Sequence, residues 1–117
     1  MATVTRGSAG PFAERYQYDS RICTPAKGWA QLDTGQDASY YGNWINPFSF
    51  ELLCFAEGDL DHTKCDGEED FARTVRECIA WHKEHGHWDR YSGIDPGASN
   101  PAIAEAFERM GLGEFLH

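Results

Sequence analysis

The run from Phe48 to Ala56, FSFELLCFA, constrains the fold most, because side chains on an extended backbone alternate between two faces. Alternation puts Phe50, Leu52, Cys54 and Ala56 on one face and Ser49, Glu51, Leu53 and Phe55 on the other. Such a strand belongs in the middle of a sheet. Its neighbours are legible on both sides. Trp29 to Asp33 alternates briefly, GQDAS over 35–39 reads as a turn, and Tyr40 to Asn46 is rich in aromatics before the break at Asn46-Pro47. After Ala56, Glu57-Gly58-Asp59 supplies a turn from which Leu60 to Cys65 pairs back as a fourth strand. Upstream, ERYQYD over 14–19 reads as a short strand followed by a turn around Thr24, Pro25 and Gly28.

The pattern then changes period. Asp66 stands as an N-cap with Glu69 three positions on, and a helix is expected over 67–85. At 100° per residue Phe71, Ala72, Val75, Cys78, Ile79, Trp81 and His82 share the half of the wheel that packs on the sheet. Gly86 suits the C′ position. A second helix starts at Asn100-Pro101 and runs to Met110, with Ile103, Phe107 and Met110 at i, i+4 and i+7. Gly111 ends it, and Leu112 is placed to touch Phe107, so the tail GLGEFLH is expected to dock. The fold expected is α+β: an antiparallel three- or four-stranded meander, one long amphipathic helix packed on it, and a short C-terminal helix at an edge.

At 117 residues the chain suits one domain, here 14–117, preceded by a flexible arm over 1–13 that is small, polar and glycine-bearing. Ten basic against nineteen acidic residues give a formal net charge of −9, which disfavours direct binding to nucleic acid or to anionic membranes and favours a basic partner. The acidity lies outside residues 1–28, where four basic side chains face two acidic ones. Four cysteines without C-x-x-C spacing, no signal-peptide core and no long apolar run lead us to expect reduced thiols in the cytoplasm.

Several clusters could carry chemistry. Residues 57–70, EGDLDHTKCDGEED, hold seven carboxylates and one lysine. Asp66, Glu68, Glu69 and Asp70 complement a helix N-terminus; Glu57, Asp59 and Asp61, spaced by two, have the donor type for Ca²⁺ or Mg²⁺ but fall short of an EF-hand loop. Cys78, His82 and His85 have helical spacing that could hold Zn²⁺ with a further ligand, although His82 at the centre of the apolar arc is better read as a core histidine. No metal or other cofactor is expected. Cys54 and Cys78 read as buried, leaving Cys23 and Cys65 as the exposed thiols. Tyr40, Tyr41 and Trp44 are harder to absorb. Tyr40 and Trp44 fall on one face of a strand and Tyr41 and Ile45 on the other, so either two layers cover the strand or one aromatic set is a binding surface.

The segment D-T-G-Q-D-A-S-Y-Y-G-N-W-I-N-P, Asp33 to Pro47, followed by Glu57-Gly58-Asp59 and a capped amphipathic helix, resembles a group of small, acidic, uncharacterised proteins encoded on bacterial plasmids and prophages. The likeness covers roughly residues 18–96. It implies a mobile-element accessory role and no catalytic residue. The leading expectation is a non-enzymatic interaction protein, opposing host defence or regulation by offering acidic groups to a basic, nucleic-acid-binding host protein. Its expected binding surface is Asp33, Asp37, Tyr40, Tyr41, Trp44, Glu57, Asp59 and Asp61. The alternatives are a small enzyme built on Asp33, Asp37, Glu57 and Asp59 with or without a metal, and a homodimer or larger oligomer joined through the aromatic face.

Overall fold

A computed structural model of the chain describes residues 2–8, 29–36, 41–57, 59–97 and 101–117. Among them are strands β1 (Thr3–Ser8), β2 (Ala30–Asp33), β3 (Tyr41–Asn46), β4 (Glu51–Ala56) and β5 (Asp59–Lys64). Helix α1 (Glu68–Glu84), strand β6 (Gly93–Asp95), helix α2 (Pro101–Arg109) and a 3₁₀ turn (Gly113–Phe115) complete the described elements. The strands make one antiparallel sheet in the order β1-β5-β4-β3-β2-β6. The expected four-stranded meander is its centre, β2 to β5, and β1 and β6 extend it at the two edges.

The first residues depart from the expected arm. Thr3–Ser8 pairs along its whole length with β5, Val4 opposite Thr63 and Ser8 opposite Asp59. Its Thr-Val-Thr alternation suits a pleated edge, a signal outweighed in the sequence by the glycines that follow. The expected strand over 14–19, its turn at 24–28, Cys23, Asp37, Tyr40 and the Asn100 cap lie outside the described residues.

The central strand begins three residues later than its alternation suggests. Asn46 holds a turn together: its side-chain oxygen accepts the N–H groups of Phe48 (2.9 Å) and Ser49 (3.1 Å), and its carbonyl accepts that of Phe50 (3.0 Å). Phe50 takes φ 61°, a left-handed conformation uncommon for a bulky residue. Packing offsets that strain, since its ring lies 6.0 Å from Phe71 and against the core.

α1 lays Phe71, Ala72, Val75 and Ile79 onto Ala30, Leu32, Ile45, Leu52 and Ile94, and α2 adds Ile103 and Phe107 to the same cluster. α2 thus joins the main core, with Phe107 stacked 6.4 Å from Phe71. Leu53, Phe55 and Leu60 are buried on the opposite sheet face, so the central strands are withdrawn from solvent on both sides. Tyr41 and Trp44, on the two faces of β3, are each half-buried.

Both helices end as expected. After α1, Gly86 at φ 73° lets its own N–H reach the Lys83 carbonyl (3.3 Å) and that of His87 reach His82 (3.0 Å). After α2 the same pair of bonds runs from Gly111 to Glu108 and from Leu112 to Phe107. The tail docks: Leu116 bridges Ile94, and the His117 N–H donates to the Ile94 carbonyl at 2.8 Å. The start of α1 is shifted from expectation. Gly67, not Asp66, is the N-cap and has no side-chain bond to give. Asp70 reaches back in place of Glu69, accepting the Asp66 N–H at 2.9 Å and an Arg73 guanidinium N–H.

Candidate functional site

The register of the sheet orders one face into three rows. Val4, Thr63, Leu52 and Ile45 lie side by side across four strands; the next row is Arg6, Asp61, Cys54 and Asn43, and the third Ser8, Asp59, Ala56 and Tyr41. Two residues along, only β5 turns acidic, at Asp61 and then Asp59; β1 brings Arg6 opposite Asp61. α1 crosses this face, and its spacing presents Thr74, Glu77, Cys78, Trp81 and His82 toward the rows.

Between helix and sheet lies a solvent-open groove of about 540 Å³. Its lining is mainly apolar and includes Val4, Ile45, Leu52 and Trp81, with the carboxylates of Asp61 and Glu77 and no lysine or arginine among the described lining residues. Val4 and Trp81 are 53% and 49% exposed, so the groove carries unburied apolar surface. Trp81 is held in place by its neighbours: its ring stacks on His85 at 3.9 Å and meets the edge of His82 at 4.9 Å.

Of the expected surface residues, the structure brings Tyr41, Glu57, Asp59 and Asp61 to one end of β3, β4 and β5. The charge of Glu57, then slight desolvation and a hydrogen bond to its carboxylate, raise the Tyr41 phenol. Glu57 adopts φ 50° in the two-residue β4–β5 connection, off the strand, which breaks the extended spacing that would have aligned it with Asp59 and Asp61. Trp44 is separated from this group. It pairs with Leu53 and lies on the opposite face, its indole N–H buried without a hydrogen-bond partner. Asp33 follows Gln31 on that opposite face and accepts the Gly35 N–H at 2.9 Å in its own turn. Asp33 therefore does not share a pocket with Asp59 and Asp61.

The cysteines exchange the environments expected of them. Cys65 is buried, 3% exposed, because the chain turns under the start of α1 immediately after β5, whereas Cys54 is exposed in the groove, one row beyond the helix-covered part of β4. Apolar surroundings, then the charge of Asp61, raise the Cys54 thiol; burial pushes Cys78 to about 12, with Cys54 adding to the shift. Neither thiol is an activated nucleophile at neutral pH.

At the end of α1, His82 is 5% exposed, and its Nδ1 lies 3.2 Å from Nδ1 of His87, one carrying the proton and donating to the other. Burial, then the charges of His87 and His85, lower His82 to about 4. His85 uses its own Nδ1 on the Trp81 carbonyl at 2.7 Å. The Cys78, His82 and His85 arrangement is thus not assembled for zinc, and among the described residues no group of three or more such side chains could hold a metal ion. On the other face His62 and Glu51 pair at 2.6 Å, both largely buried, bracing β4 against β5. That pair links residues eleven apart and is visible only once the register is known.

The sequence reasoning missed the groove itself. Trp81 was the available signal, lying toward the boundary of the apolar arc of α1 with Glu77 one turn before it. Comparison with protein-family models, curated proteins and solved structures returned no match. Among the described residues no helix is long and apolar enough to cross a membrane.

Proposed function

We propose that this protein is a non-enzymatic acidic interaction protein that binds a basic surface on a protein partner. The observation that carries this reading is the gathering of Glu57, Asp59 and Asp61 at one end of β4 and β5, beside a groove whose described lining has the carboxylates of Asp61 and Glu77 and no lysine or arginine. A formal charge of −9 adds long-range attraction for such a partner. An enzyme built on Asp33, Glu57 and Asp59 is less well supported, because Asp33 lies on the other sheet face and the groove thiols are held protonated.

The resemblance of Asp33 to Pro47 to small plasmid- and prophage-encoded proteins makes a host nucleic-acid-binding protein the natural partner class. The role is then that of a mobile-element accessory factor acting in the cytoplasm, where the free thiols of Cys54, Cys65 and Cys78 stay reduced.

Immobilised protein incubated with a bacterial lysate tests this. Basic proteins should be retained at low salt, released as salt rises through the range where the Debye length falls to about 8 Å, and lost on Glu57→Lys with Asp59→Lys. Retention of nothing but further copies of the chain, insensitive to salt and to the substitutions, would favour a homo-oligomer instead.

A further inference from the structure

We infer that β1 is the seam of a homodimer, in which the outer edges of two copies of the strand pair antiparallel about a two-fold axis at Val4 and join the two sheets into one. Such a dimer goes beyond the basic-partner reading and is independent of it.

The two edges of the sheet are finished differently. At one, β6 is three residues long and covered by the tail, Leu116 bridging Ile94 and the His117 N–H donating to the Ile94 carbonyl at 2.8 Å. At the other, all six residues of β1 pair with β5 on one side, and among the described residues no strand pairs with them on the other. Alternate residues of an antiparallel strand point their N–H and C=O groups away from its neighbour, so this edge offers a ladder to a further strand. Neither proline nor lysine interrupts β1, and Thr3, Val4 and Thr5 are exposed. An unprotected edge of this kind invites strand addition.

The sequence of β1 selects a second copy as the added strand. With the axis at Val4, Val4 stands opposite its own counterpart and Thr3 opposite Thr5 on either side, pairs that suit adjacent strands. The row of Ile45, Leu52, Thr63 and Val4 then continues into the same row of the other copy in reverse order, and Val4, 53% exposed, gains an apolar neighbour. Moving the axis one residue on, to Thr5, would instead set Val4 against Arg6.

Charge permits the contact. The chain carries −9, but residues 1–28 hold four basic against two acidic side chains, so β1 belongs to the basic part of the sequence. Asp59 stands opposite Ser8, four residues from the axis. Antiparallel pairing sends the two Ser8 ends apart, by about 27 Å along the seam at about 3.4 Å per residue, which exceeds two Debye lengths at physiological salt.

Sedimentation equilibrium of the full chain over about 1 μM to about 1 mM tests the seam, since a single strand pair makes a small contact and a weak dimer. The average mass should rise from 13.2 kDa toward twice that value. Val4→Glu and Val4→Lys each place like charges opposite one another at the axis and should each raise the dissociation constant at least tenfold. Mixed in equal amounts, the two variants should associate again, because opposite charges then meet. Both fall at an exposed edge position, and their circular dichroism should match that of the parent. In the parent protein, hydrogen exchange of β1 amides should slow as concentration rises while that of β6 amides stays constant.

A mass of 13.2 kDa throughout the series would overturn the dimer. Association that survives both Val4 substitutions, with no concentration-dependent protection of β1, would overturn β1 as the seam. A mixed sample that associates no better than either variant alone would overturn the axis at Val4. None of these outcomes alters lysate capture, so the basic-partner reading stands or falls separately.

Discussion

The imidazole of His82 shows how one residue can tie stability to pH. Its folded-state value of about 4 lies below the 6.5 of an unperturbed histidine, so between these values the unfolded chain takes up a proton that the folded chain refuses. Stability is therefore complete above pH 6.5 and falls as the pH drops toward 4. The part due to His82 is on the order of 2 kcal/mol by pH 5. Urea unfolding at pH 7 and pH 5 should show that loss in the parent protein and a shallower one in His82→Gln; equal slopes would assign the effect elsewhere. The thiols make a second residue-scale case. Of the three described cysteines, Cys54 should react first with a thiol reagent, and slowly for an accessible cysteine, half-buried Cys78 later, and Cys65 only on unfolding, as peptide mapping after partial labelling would reveal.

At the scale of elements, the docking of the tail against β6 depends on a close approach. A Cβ on Gly93 would stand 2.8 Å from the Phe115 carbonyl oxygen and 3.0 Å from the His117 Cβ. Gly93→Ala should cost roughly 1–3 kcal/mol and speed hydrogen exchange of the His117 amide, which is bonded to Ile94; an unchanged exchange rate would mean the tail contributes no such constraint. α1, the meander, and both glycine-ended helices were legible in the sequence because each rests on local periodicity or on a residue with a local backbone role. What escaped depends on which of several nearby partners a side chain takes, or on packing between elements distant in the chain. Asp70 supplanted Glu69 at the start of α1 because Gly67, rather than Asp66, became the cap. Phe48 to Phe50 left the strand because Asn46 captures all three of their amides. Cys54 and Cys65 exchanged environments because the position of α1 over β4, not alternation along β4, decides which thiol is covered.

For the whole molecule, the candidate site was half legible. The sequence marked Tyr41, Glu57, Asp59 and Asp61 as a group, and the sheet brings them to one end of β3, β4 and β5. It also joined Asp33 and Trp44 to them, and antiparallel register sends those two to the other face. Trp81 was marked only as a residue at the boundary of the α1 apolar arc, and Val4 not at all, because they come together only through the pairing of β1 with β5 and the crossing of α1 over the sheet. Their place in the groove also explains why the acidity of this chain is paired with exposed apolar area, a combination that excess charge alone does not require.

Where a basic ligand touches the molecule is read most directly from the amide chemical shifts of the ¹⁵N-labelled protein during titration with a lysine-rich peptide. The shifts should concentrate at Tyr41, Glu57, Asp59 and Asp61, at one end of β3, β4 and β5. Shifts centred instead on Asp33 and His62, on the other face of the sheet, would contradict the acidic end as the binding surface, as would no shift at all.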